Sequence, residues 1–189
     1  MLDLVLTKKS FAVKMSVKAT ISVLLVVMAV ALPQIAHAIG GVQAGSLWMP
    51  MYMPALLAGI LLGWQWGLGV GILSPVVSFG FTSLALGSAM PNLQRLPYMI
   101  LEIGAYGLIS GLFSTRVQKN PVLAFPVVLG AQVSGRAVYL IYNLIAGRDF
   151  ASLWSSVQTS MVGLYAQAIL VPAIAIILCM VLKHEQKAE

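Results

Sequence analysis

Residues 47–86 read LWMPMYMPALLAGILLGWQWGLGVGILSPVVSFGFTSLAL, a stretch without any acidic or basic side chain. A transmembrane helix needs about 20 predominantly apolar residues, so this stretch is long enough for two such helices. Trp64 and Trp66 mark a very short connection near its centre, and tryptophan is enriched where a helix leaves the membrane. The stretch therefore predicts an antiparallel pair of membrane helices, at about residues 47–62 and 64–86.

The rest of the chain has the same apolar character. Of its 189 residues, 60% are hydrophobic and only 8% are charged, whereas about 25% of the residues in a soluble domain are charged. A chain of this composition cannot cover a water-facing surface, so most of its exterior must face lipid. We therefore expect an all-α integral membrane protein in which residues 1–189 form a single domain of six transmembrane helices. The predicted helices are 11–36, 47–62, 64–86, 97–113, 122–145 and 154–182.

The N-terminal apolar segment has two interpretations. Lysines precede a hydrophobic run, and Ala36-His37-Ala38 resembles a signal-peptidase site, as in a cleaved secretion signal. Alternatively, the segment is retained as the first transmembrane helix and ends near Pro33. We favour retention, partly because six helices account for the distribution of charge.

The basic residues favour a topology with both termini in the cytoplasm. Lysine and arginine are enriched in cytoplasmic segments of membrane proteins. Only Arg95 and Arg148 lie in segments that would then be outside the cell. Eight lie in segments that would be inside: Lys8, Lys9, Lys14, Lys18, Arg116, Lys119, Lys183 and Lys187. This placement at helix ends also argues against a nucleic-acid partner, despite the net charge of +6.

Two ionisable residues fall inside predicted helices, Glu102 in the fourth and Arg136 in the fifth. Such a residue costs about 2.5–3.5 kcal/mol at the bilayer centre on insertion scales, so each is a functional candidate. Other polar and aromatic residues share their helical faces or lie on the sixth helix. The predicted substrate-binding residues are Tyr98, Glu102, Tyr106, Gln132, Arg136, Tyr139, Asn143, Gln158 and Tyr165. They predict a pocket open to the outer half of the membrane. The alternative is that Glu102 and Arg136 only pair with each other and hold two helices together.

The sequence lacks the common catalytic and nucleotide-binding motifs. It contains no GxxxxGK[ST] loop, no HExxH and no GxSxG. Cys179 is the only cysteine, which excludes intramolecular disulfides and cysteine-based metal clusters. We therefore expect no enzyme activity, no metal and no cofactor.

Three segments resemble the substrate-binding (S) components of energy-coupling factor (ECF) transporters. They are MPALLAGILLG at 53–63, GLGVGILSP at 67–75 and PYMILEIGAYGLISG at 97–111. The resemblance implies a six-helix protein of the bacterial plasma membrane that captures a water-soluble vitamin or precursor outside the cell. It also implies partners, namely a transmembrane scaffold subunit and two ATP-binding-cassette ATPases. ATP hydrolysis in those chains would explain why this chain has no ATPase motif.

The resemblance further implies a docking motif and a class of ligand. The family docks on its scaffold through an AxxxA motif in the first helix, and the nearest match here is Ala12, Ser16 and Thr20. Among family ligands, hydroxymethylpyrimidine or pyridoxine suits Glu102, Arg136 and the tyrosines somewhat better than the others. Pantothenate, folate and cobalamin remain open.

Two other classes of function compete with this interpretation. A proton- or sodium-coupled carrier would use Glu102 as its coupling group and would transport its substrate without ATP. A structural membrane subunit would need neither a pocket nor a ligand.

Overall fold

The computed structural model describes residues 4–7, 10–13, 15–85 and 87–188, and it describes side chains for residues 15–41, 43–85 and 87–180. Lys8, Lys9 and Lys14, which belong to the predicted cytoplasmic set, lie outside the described residues. The described part is helical apart from one short N-terminal pair of strands, β1 (Leu4–Thr7) and β2 (Ser10–Val13). Its helices are α1 (Met15–Trp48), α2 (Tyr52–Leu62), α3 (Trp64–Ala85), α4 (Leu96–Leu112), α5 (Ser114–Lys119), α6 (Ala124–Ile145), α7 (Phe150–Thr159) and α8 (Met161–Ala188).

Several of these helices can cross a membrane. In the described part of the chain, five helical segments are long and apolar enough to do so. They are Met15–Gly41, Gln43–Leu62, Trp64–Ala85, Pro121–Ile145 and Met161–Met180. The helix predicted at 97–113 corresponds to α4, which is apolar but shorter. The expectation of a helical fold is thus confirmed, and its long apolar helices are consistent with a membrane protein.

The first helix differs from its predicted range at both ends. It begins at Met15, because the preceding residues pair as strand β2 with β1. It continues past Pro33 to Trp48, and Gly41 interrupts it with a φ of 69°, a conformation that glycine adopts without steric cost. Ala36-His37-Ala38 therefore lies within a helix, ahead of the break at Gly41. α2 begins at Tyr52, inside the second candidate membrane segment, Gln43–Leu62.

The segment predicted as one helix at 154–182 consists of two helices. α7 ends at Thr159 and α8 begins at Met161, so the break falls at Ser160. Asp149 starts α7 as its N-cap, because its side chain accepts a hydrogen bond from the Ser152 amide at 3.0 Å. α7 buries only Leu153 and Val157. The break changes which side chains of this region face the bundle.

α4 occupies the centre of the bundle and packs against α2, α3 and α6. It has 17 residues, which at 1.5 Å per residue corresponds to about 25 Å. It buries both large and polar side chains, including Glu102, Ile103 and Tyr106. The surrounding helices keep these polar groups away from lipid.

Glycines allow α3 and α4 to approach until their backbones touch. A β-carbon added at Gly71 would lie 2.5 Å from the carbonyl oxygen of Ile103. One added at Gly107 would collide with the backbone of Gly67. Small residues at such spacing are typical of closely packed membrane helices. The glycines of α3 and α4 thus define their interface.

We expect Gly71→Ala to destabilise the protein and Gly69→Ala, on the same helix, to leave it unchanged. The first substitution forces two packed backbones apart, and overpacking of this kind costs about 1–3 kcal/mol. A β-carbon at Gly69 would meet no atom within 4 Å. Thermal unfolding of both variants in detergent measures the difference, and equal melting temperatures would contradict this packing.

Candidate functional site

A cavity of about 680 Å³ opens where several interhelical connections meet. Its walls come from the end of α1 and the turn into α2, the connection before α4, the first half of α4, the second half of α6 and the segment around α7. Its volume is typical of a site for a small organic molecule, for which about 300–1,000 Å³ is usual. This space, called the cavity below, is the candidate site.

The nine predicted binding residues fall into three groups. Tyr98, Glu102, Arg136 and Tyr139 line the cavity. Tyr106, Gln132 and Asn143 are buried on the same two helices but do not line it. Gln158 and Tyr165 are exposed and do not line it either. The structure thus brings four of the seven predicted residues on α4 and α6 to the cavity, and neither of the two predicted on the last helix.

Gln132 and Asn143 make contacts within the bundle. The Gln132 amide donates a hydrogen bond to the Leu164 carbonyl of α8 at 2.9 Å. The Asn143 amide donates to the Tyr139 carbonyl of its own helix at 2.8 Å. These contacts satisfy the two amide groups, which would be costly to bury unpaired, whereas Asn143 Oδ1 has no hydrogen-bond partner among the described residues. Both side chains thus contact the bundle and not the cavity.

The break at Ser160 explains why Gln158 and Tyr165 lie outside the cavity. The inward face of α8 carries Leu164, Gln167 and Val171, and Tyr165 points elsewhere with an exposed fraction of 68%. Gln167 is the buried polar residue on this helix. Its amide donates hydrogen bonds to the carbonyls of Trp48 and Met49 at 3.1 and 3.0 Å, so α8 supplies the donor for carbonyls at the C-terminal end of α1.

Glu102 and Arg136 form a buried ion pair. Glu102 Oε1 lies 3.0 Å from Arg136 Nη1, and the two side chains are 1% and 12% exposed. Tyr52, at the start of α2, donates a hydrogen bond from its hydroxyl to Glu102 Oε2 at 2.9 Å. Each carboxylate oxygen thus has one polar neighbour, and the contacts join α2, α4 and α6.

Arg136 has further neighbours around its guanidinium. Nη2 donates to the sulfur of Met49, and the group lies over the rings of Tyr52 and Tyr139, 5.7 and 5.6 Å from their centroids. Cation–π contacts of this kind stabilise a desolvated cation. Arginine has five N–H donors, and Arg136 Nε has no hydrogen-bond partner among the described residues. This nitrogen is buried, so it adds no donor to the cavity wall.

A row of aromatic rings leads from Arg136 to the exposed Arg148. Tyr139 contacts Tyr98 edge-to-face, with ring centroids 5.4 Å apart. The Arg148 guanidinium lies 5.6 Å from the centroid of Tyr98. All four residues line the cavity. Arg148 and Tyr52 were absent from the predicted site, because each lies near the start or end of a helix where no polar periodicity marks it.

The three predicted docking residues do not share one helix. Ser16 and Thr20 are exposed in the first turns of α1, where the Thr20 hydroxyl donates to the Ser16 carbonyl at 3.0 Å. Ala12 lies in strand β2, ahead of the helix, and its side chain is outside the described part. The continuous stripe predicted for these residues is therefore limited to Ser16 and Thr20.

Comparison of the chain with models of known protein families, with curated proteins and with solved structures gives no match. The chemistry of the cavity is therefore the main guide to its use.

We expect Glu102→Gln and Arg136→Met each to destabilise the protein strongly. Removal of one member of a buried ion pair leaves the other charge unpaired, which costs about 3–5 kcal/mol. The double variant should lose less stability than the sum of the losses in the two single variants. Melting temperatures in detergent give the comparison, with Tyr165→Phe as a control at an exposed tyrosine. Strictly additive losses would show that the two side chains are not coupled.

Proposed function

We propose that this chain is the membrane-embedded substrate-binding (S) component of an ECF-type importer for a water-soluble vitamin or precursor. The observation that carries the proposal is the cavity of about 680 Å³, lined by an ion pair, tyrosines and arginines within a bundle of apolar helices. Polar side chains are costly at membrane depth and are usually retained there for function. A cavity that gathers them suits capture of a polar small molecule.

The proposed orientation directs the cavity to the outside of the cell. Arg116 and Lys119 lie in α5, which the hydrogen bond from Gln118 to the Leu61 carbonyl joins to the end of α2. The cavity involves the opposite end of α2. Because basic residues favour the cytoplasmic side, a topology with six spans, including α4, and both termini inside would open the cavity outward.

The partners in this proposal are a scaffold transmembrane subunit and two ABC ATPases. α1 offers a surface for the scaffold, since its span is the least buried of the five candidates. Its exposed side chains include Val23, Leu24 and Val27, and Ser16 and Thr20 lie exposed near its start. Energy would come from the ATPases, because this sequence has no ATP-binding loop.

The surroundings of Glu102 give less support to a proton- or sodium-coupled carrier. A coupling carboxylate must bind and release its ion during transport. Glu102 is 1% exposed and contacts both Arg136 and Tyr52, so an ion would first have to displace these neighbours.

We expect one compound of a vitamin panel to stabilise the purified protein against heat. The panel contains hydroxymethylpyrimidine, pyridoxine, pantothenate, folate and cobalamin. A ligand at 100 times its dissociation constant adds about 2.7 kcal/mol of stability, which a melting curve detects readily. If no compound shifts the melting temperature, a structural subunit becomes the better interpretation.

Reconstituted alone in proteoliposomes, the protein should bind that ligand without accumulating it. A pH or sodium gradient should have no effect on uptake, because the proposed energy source is a separate ATPase. Uptake is measured with radiolabelled ligand and empty liposomes as the control. Gradient-driven accumulation would favour the coupled carrier over the S component.

A further inference from the structure

The charged residues that line the cavity are mostly positive. Among the described residues of the lining, the arginines are Arg95, Arg136 and Arg148, and the only carboxylate is Glu102. The ion pair between Glu102 and Arg136 offsets one positive and one negative charge. Arg95 and Arg148 therefore give the cavity a net positive charge.

Arg95 and Arg148 are available to a ligand. Both are exposed, and neither forms an ion pair with a residue that the structure describes. Asp149, the acidic neighbour of Arg148 in the chain, caps α7 through the Ser152 amide instead. The Arg148 guanidinium also lies over the ring of Tyr98, which places it beside the cavity.

The one lining carboxylate is poorly available. Glu102 is 1% exposed, with Oε1 beside Arg136 and Oε2 accepting the Tyr52 hydroxyl proton. A cationic ligand would thus meet two unpaired arginines and no free carboxylate within the described lining. A small organic anion would meet complementary charge and strong donors.

We infer that the ligand of the cavity carries a carboxylate or phosphate group, which Arg148 and Arg95 bind while the body of the molecule contacts Tyr98 and Tyr139. This inference rests on the proposed function and narrows it to acidic vitamins or phosphorylated precursors. It disfavours the neutral hydroxymethylpyrimidine and pyridoxine, whose fit depended on a Glu102 free to contact the ligand.

Matched pairs of compounds that differ in one anionic group test the inference. The probes are pantothenate with panthenol, nicotinate with nicotinamide, and pyridoxal 5′-phosphate with pyridoxal. In the pair that binds, the anionic member should bind at least about tenfold more tightly, because hydrogen bonds to charged groups are the stronger ones. Calorimetry at low and high salt should show that the difference in affinity between the two members becomes smaller as salt screens the exposed arginines.

Two arginine variants separate a role in binding from a general effect of charge. Arg148→Gln should weaken binding of the anionic member about tenfold and leave binding of the neutral member unchanged. Arg116→Gln is the matched control, since Arg116 is also exposed and also stacks on an aromatic ring, at 5.5 Å from the centroid of Phe113. Arg116 does not line the cavity, so its substitution should leave both affinities unchanged.

The outcomes distinguish this inference from the proposed function. If a neutral member binds as tightly as its anionic partner, or if the two arginine variants behave alike, the inference is overturned and the S component remains. If no compound of the pairs or of the vitamin panel binds, the proposed function fails and the inference fails with it.

Discussion

The ion pair between Glu102 and Arg136 is the interaction on which the arrangement of the central helices depends. A buried carboxylate without a partner would be neutralised or would destabilise the bundle. Glu102 therefore requires α6 to present Arg136 and α2 to present the Tyr52 hydroxyl. Since α4 lies between these two helices, one buried charge determines how three helices face one another.

Glycine contacts close the bundle at one end, and the cavity occupies the other. Gly59, Gly67 and Gly107 bring the backbones of α2, α3 and α4 into contact. At the other end of α4, Tyr98 and the connections between helices surround the cavity. α4 thus contacts neighbouring backbones directly at its glycines, and it also contributes to a cavity lined by tyrosines and arginines. The cavity accordingly lies beside the first half of α4.

The polar residues in and next to the cavity divide into those that make buried contacts within the bundle and those that are exposed. Glu102, Gln132 and Gln167 are nearly fully buried and contact other parts of the bundle. Arg95 and Arg148 are exposed at the cavity. Arg136 lies between the two groups, because it pairs with Glu102 and still reaches the lining. In the proposed binding site, a ligand that contacts Arg136 would therefore also affect the stability of the bundle.

The sequence by itself determined the helical membrane class and the polar faces of α4 and α6. Hydropathy and helical periodicity are local properties, so spacing alone could place the seven predicted residues of α4 and α6 on one face of each helix. Spacing could not show that only Tyr98, Glu102, Arg136 and Tyr139 of these seven line the cavity. Only the tertiary structure decided that Tyr52 and Arg148 line the cavity with them and that Gln158 and Tyr165 do not. It also decided that Gln167 contacts the end of α1. The helix break at Ser160 leaves Gln158 and Tyr165 outside the cavity. Contacts between segments far apart in the chain place Tyr52 beside Glu102 and Gln167 beside Trp48. No local pattern encodes such contacts, because their geometry exists only once the helices have packed.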